Sequence, residues 1–144
     1  MPRPYLTVLL LGLIGCAVQA QDAVQEDPVK REQELAQNDV WHKAKLRGVA
    51  FRAIGQEPGW LLEIKNGEEI LVVTNYGQER KVLPYVDPQE DKTARKTVFE
   101  VDANTSVLIE GKGCIDSMSG ETFSVTVTVT LDGQVFKGCG RALF

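Results

Sequence analysis

The chain has 144 residues, 43% hydrophobic and 25% charged, with a formal net charge of −4. That length sets an expectation of one domain with one modest core, and the composition excludes a chain disordered throughout. An acidic balance with no basic run argues against nucleic acid as a partner.

Residues 1–20 read as a signal peptide. Arg3 is the only charged side chain before an apolar run from Tyr5 to Ile14, too short to span a bilayer comfortably and suited to a signal-peptide core. Two endings overlap. Leu13-Ile14-Gly15-Cys16 looks like a bacterial lipobox, in which Cys16 is lipidated and becomes the first mature residue. Val18-Gln19-Ala20 is an ordinary small-residue site, with cleavage after Ala20. Either cut removes one of the 16 basic residues and none of the 20 acidic ones, leaving a mature charge of −5. Ala17 stands where inner-membrane retention is linked to aspartate. By analogy, the lipidated form is expected at the outer membrane facing the periplasm, with a soluble periplasmic form as the alternative. No later apolar stretch reaches spanning length, so membrane contact is expected through the lipid anchor only.

Residues 21–47 read as a tether and a helix. Asp27-Pro28 is a helix start, an N-cap acid followed by proline at the first helical position. Val29, Gln33, Ala36, Val40 and Ala44 recur at helical spacing, widened by Leu35, Trp41 and Leu46, and Gly48 is placed to end the helix. The spacing predicts a helix over 28–46. His42, the one histidine of the chain, reads as a solvated or helix-end residue. A single histidine leaves no room for a multi-histidine metal site and little for a Ser-His-Asp triad.

From Gly48 the period changes to two, and 48–144 read as a β domain. Strands are expected at 49–54, 60–65, 69–74, 80–83, 93–101 and 106–110. Between them lie turns at Gln56–Gly59, Asn66-Gly67, Asn75–Gly77 and Asp102–Asn104, and a loop from Pro84 to Lys92. The clearest pattern is Phe123 to Leu131. Phe123, Val125, Val127, Val129 and Leu131 alternate there with Ser124, Thr126, Thr128 and Thr130. Asp132-Gly133 suits a two-residue primed hairpin turn, and the returning strand ends at Cys139. The fold class is all-β: a small antiparallel barrel or sandwich of about eight short strands, preceded by one N-terminal helix. Its inward rows are expected to include Phe51, Trp60, Leu62, Ile64, Phe99, Val107, Ile109, Phe123, Val125, Val127 and Val129.

Setting Cys16 aside leaves Cys114 and Cys139, an even pair in an exported chain, which reads as a disulfide. The alternatives are a metal pair or a reactive thiol. With no CxxC and no nearby histidine, the two make a poor metal set.

Three constellations could carry function. The loop Cys114–Glu121 packs Asp116, Ser117, Ser119 and Glu121 beside the expected disulfide. It reads as a pinned recognition loop, or as a structural turn in which Asp116 and Ser119 bond nearby amides, Gly120 supplies a special φ and Met118 plugs the barrel end. The turn Gln56–Trp60 offers Glu57 as an acid, a base or an acceptor for a partner's cation, or serves only to swing Trp60 inward. Glu57 and Asp116 at one barrel mouth would resemble a hydrolase dyad. Lys112, Lys137 and Arg141, with Arg52, could form a cationic patch or stand as ordinary surface charges. Ser117 and Ser119 lack a G-x-S-x-G elbow, Asp116 and Glu121 are too few for Ca²⁺, and no cofactor motif is present.

Phe51 to Trp60 matches F-x-A-x-G-x-E-P-x-W. With the run Cys114-x-Asp116-x-Met118-Ser119-Gly120-Glu121 and the close Gly138-Cys139-Gly140, it resembles a family of short Gram-negative envelope proteins identified as lipoproteins without a known role. The resemblance spans 48–144. It implies an envelope compartment and the domain limits, and it supplies no reaction. More distantly the architecture is similar to META/HslJ-like envelope domains and small lysozyme-inhibitor barrels, with no inhibitor motif that maps residue by residue. The expectation is an exported envelope binding domain, without catalysis, for an envelope protein or polymer. An apolar-ligand carrier with a lipocalin-like interior is the alternative, and a hydrolase using Glu57 and Asp116 a weaker one.

Overall fold

The computed structural model describes residues 27–144; the expected signal peptide, Cys16 and the start of the tether lie outside them. Helix α1 runs from Pro28 to Leu46, capped by the Asp27 carboxylate, which accepts from the Val29 N–H at 3.0 Å. It ends before Gly48, whose φ of 83° suits the residue that turns the chain. Among its described side chains only Trp41 and Ala44 are buried; Pro28 to Gln33 are exposed.

Eleven strands follow: β1 Phe51–Gln56, β2 Gly59–Lys65, β3 Glu69–Thr74, β4 Glu79–Pro84, β5 Gln89–Asp91, β6 Lys96–Asp102, β7 Thr105–Glu110, β8 Cys114–Ile115, β9 Thr122–Phe123, β10 Val125–Leu131 and β11 Gln134–Ala142. Nine form one antiparallel sheet in the order β4-β3-β2-β1-β11-β10-β7-β6-β5, while β8 and β9 make a separate small hairpin. The first and last long strands pair, Phe51 opposite Ala142. The two edges, β4 and β5, are consecutive in the chain. Residues 85–88 alone join them, a reach of at most about 18 Å. The sheet therefore curls into a half-barrel whose edges are tied by one short segment. Tyr85 and Val86 of that segment pack on the core, and Tyr85 meets Phe99 edge-on at 6.0 Å. Edge strand β4 carries Glu79, Arg80 and Lys81 and ends in Pro84, features that discourage further strand pairing.

The concave face is filled by side chains. Trp60, Leu62, Ile64, Ile70, Val72, Phe99, Val107, Val127, Val129 and Phe136 are all buried there. The first sequence block has a packing explanation. Phe51, Ala53 and Gly55 face inward from β1, opposite Ile64, Leu62 and Trp60 of β2. The Trp60 indole lies across Gly55 and Gly138 and donates to the Lys137 carbonyl at 3.3 Å. A Cβ at Gly55 would stand 2.0 Å from Trp60 Nε1. Gly55 and Trp60 of the motif thus describe a large ring seated on a small neighbour, while Phe51 and Ala53 continue the same inward row.

Three expectations are corrected. Phe123 belongs to no inward row: the strand breaks at Ser124, Phe123 pairs with Cys114, and its ring packs with Trp41 on the convex side. The loop Pro84–Lys92 contains strand β5. The strand expected from Thr93 starts instead at Lys96, because Arg95 has a φ of 54° in the preceding turn. The Asn66-Gly67 hairpin lies between the strands as expected, with a three-residue loop, Lys65 pairing with Glu69, and positive φ at Gly67. The Asp132-Gly133 turn is as expected, with φ of 49° and 84° at its two residues.

Candidate functional site

The disulfide joins Cys114 to Cys139, with Cα atoms 5.5 Å apart. It fastens the β8–β9 hairpin to the convex face of β11. Between these short strands the loop is stitched by its own backbone: the Asp116 N–H donates to the Glu121 carbonyl at 2.9 Å, and the Gly120 N–H to the Asp116 carbonyl at 2.8 Å. Gly120 takes a φ of 71°, the left-handed conformation glycine allows.

Asp116 is the centre of this loop. It is buried, and its Oδ2 accepts from both the backbone N–H and the hydroxyl of Ser119, each at 2.8 Å. Its Oδ1 accepts from the Gln56 side-chain amide at 3.1 Å. Burial pushes the carboxyl upward. The hydrogen bonds from Ser119, Gln56 and the Met118 backbone outweigh it, so Asp116 sits below the ordinary carboxylate range. A carboxylate so held is an anchor. General-acid work would need the opposite shift.

The Gln56–Asp116 bond also joins the two loops singled out in the sequence. The turn Glu57-Pro58, with a cis peptide bond, leads from Gln56 into β2 and exposes Glu57. Ser117 and Ser119 are exposed, and the Ser119 hydroxyl also accepts from the Glu121 N–H at 3.1 Å. Glu121 is gripped by Arg141. Of the five candidate residues, Asp116, Ser119 and Glu121 therefore build the loop, while Glu57 and Ser117 face outward. Met118 plugs nothing: it is 74% exposed, beside Ile115 at 71%. The loop turns Asp116 inward and displays two apolar side chains beside Ser117.

The cationic patch is largely neutralised. Lys112 pairs with Glu110 at 2.9 Å, Arg141 with Glu121, and Arg52 with Glu63 at 2.7 Å. Hydrogen bonding to Lys112 holds the Glu110 carboxyl below its ordinary value, against the upward push of burial and with help from Lys96. Arg52 and Arg141 are cross-strand partners, an unfavourable like-charge pair on its own. Glu63, only 7% exposed, takes Arg52 on one side and Arg47 at 2.8 Å on the other. Trp41 of α1 covers both arginines, with guanidinium carbons 5.1 and 4.8 Å from its ring. Arg141 also lies 4.5 Å from the Phe123 ring, and that ring is 5.6 Å from Trp41. Sequence reading missed this cluster. Trp41 read as part of a helix stripe, and nothing local says that two arginines on different strands meet it.

His42 is exposed on α1. Among the described residues no group of three or more His, Cys, Asp or Glu is arranged to hold a metal ion. No described helix is long and apolar enough to cross a membrane. No family model, curated protein or solved structure matches the chain.

Proposed function

We propose that this chain is an exported envelope binding domain, held at the outer membrane through lipidated Cys16. It presents the paired loops 56–59 and 114–121 to an envelope protein or polymer. The observation that carries the reading is the Gln56–Asp116 hydrogen bond beside the disulfide, which makes two separate loops one rigid surface. Exposed Ile115 and Met118 give that surface apolar contacts, of the kind interface cores use. The disulfide suits an oxidising compartment. The exposed first turns of α1 suit a spacer between anchor and domain.

Photo-crosslinkers placed singly at Pro58, Met118 and Asn66 in the native envelope test this. Adducts from the first two positions and not from Asn66, at the opposite end of the sheet, are expected. Equal labelling at all three, or adducts at Asn66 alone, would overturn the reading. Intact mass of the mature chain separates a start at acylated Cys16 from a soluble start at Gln21. The carrier alternative asks for interior volume, and the concave face is lined by packed Trp60, Phe99 and Phe136.

A further inference from the structure

We propose that Tyr76 is a stacking platform for the neutral pyranose ring of a glycan. The turn between β3 and β4 holds three successive left-handed residues: φ is 49° at Asn75, 54° at Tyr76 and 90° at Gly77, before Gln78 returns to −79°. Asparagine and glycine tolerate this region; a tyrosine there is an outlier whose backbone costs stability. Burial does not offset that cost, because Tyr76 is 71% exposed.

The ring is nevertheless seated. It lies against Gly59, where a Cβ would stand 2.6 Å from Tyr76 Cδ1 and 3.0 Å from Cε1. Two positions thus give up stability or side-chain freedom to present one ring in one place, an arrangement that points to function rather than packing.

The surroundings select the ligand class. Residues Asn75 to Val82 are all exposed, so the ring projects with no walls around it. An apolar peptide side chain gains little without an enclosing pocket. A sugar ring presents a flat C–H face rimmed by hydroxyls, which suits an open aromatic among hydrogen-bonding side chains. Glu57, two residues from Gly59, and Asn75 and Gln78 beside Tyr76 supply those. Glu57 and Glu79 set against Arg80 leave no net basic patch to select an anionic sugar. This platform does not depend on the 114–121 loop.

The test is an NMR titration of the labelled mature chain with two neutral probes, tri-N-acetylchitotriose and maltotriose, to millimolar concentration. A saturable shift of the Gly59 and Gly77 amides with at least one probe is expected. Tyr76→Phe should bind within about twofold of the native chain, and Tyr76→Ala about tenfold more weakly. Tyr76→Gly, whose backbone accepts the turn, should keep the fold and lose binding. An Ile115→Ser/Met118→Ser variant should bind the sugar unchanged while losing partner capture, which separates this site from the 114–121 loop. No saturable shift with either probe, or a Tyr76→Ala variant within about twofold of native, overturns the proposal. So does loss of sugar binding in the loop variant.

Discussion

Asp116 distinguishes an anchor from a reactive carboxyl. Asp116→Ala removes three hydrogen bonds to an ionised acceptor, two from Ser119 and one from Gln56. Bonds to charged groups contribute about 1.5–3 kcal/mol each when buried. The exposed serine recovers water once released, so the net loss is set nearer about 3 kcal/mol than the sum. Asp116→Asn keeps the shape. Its oxygen can serve Ser119 while the Gln56 amide turns to accept, and only charge assistance is lost, about 1 kcal/mol. With a urea slope of about 1.5 kcal/mol/M, midpoints should fall by about 2 M and about 0.7 M respectively. The pH dependence has a fixed sign. The folded carboxyl lies below its unfolded value of about 3.9, so its contribution is complete above that value and is lost as pH falls through the folded pKa. The gap between native chain and Asp116→Asn should therefore close on acidification below about pH 4. Urea titrations followed by tryptophan emission, at neutral and acid pH, measure both. Equal losses for the two variants, or a gap that widens in acid, would refute the anchor assignment.

Three further outcomes follow from packing. Trp41→Ala removes the aromatic side chain that fastens α1 to Arg52, Arg141 and Phe123, a truncation of the class that costs about 3–5 kcal/mol. Amides of 28–46 should exchange rapidly while the barrel stays protected, and a still-protected helix would refute this. Gly55→Ala puts a Cβ 2.0 Å from Trp60 Nε1 and 2.7 Å from the Lys137 carbonyl. It should destabilise by at least about 1–3 kcal/mol, with a shifted tryptophan emission; an unchanged midpoint would show that the indole is not seated there. Reducing the Cys114–Cys139 bridge, which spans a sequence separation of 25, should cost about 3–4 kcal/mol in the chain-entropy model. Reduction should also raise exchange at 114–122; no change in either would leave the hairpin held without it.

Local periodicity and turn chemistry carried much of the fold. The cysteine pair was legible by count, two cysteines remaining once Cys16 is set aside; the helix limits 28–46 and the Asp132-Gly133 hairpin were legible because each is decided by neighbours in sequence. Phe123 was misread for the same reason: it keeps the period of β10, and the break at Ser124 is tertiary, imposed by the disulfide-bound hairpin and the Trp41 ring. The Asp116–Ser119 turn could be read from residue types three apart, but the Gln56 contact spans 60 positions. Tyr76 showed only as the middle of a turn, since its φ and its seat on Gly59 exist only once β2 and β3 are paired.

The convex layer ties the tether to the proposed recognition loop. Trp41 covers Arg141, Arg141 holds the Glu121 carboxylate, and the Glu121 carbonyl accepts from the Asp116 N–H. The last turns of α1 are thus fastened to the residues that shape 114–121, while its first turns bury none of their described side chains. A helix of 19 residues extends about 28 Å. Were α1 only a flexible leash, nothing would require its end to meet the loop. Fastened there, it fixes the direction in which Ile115 and Met118 point relative to the chain that leads to the proposed anchor. On the proposed reading, Trp41→Ala should weaken partner capture at the membrane while leaving capture by the detached, soluble domain unchanged, because only orientation is lost. Equal weakening in both settings would mean that Trp41 shapes the loop itself.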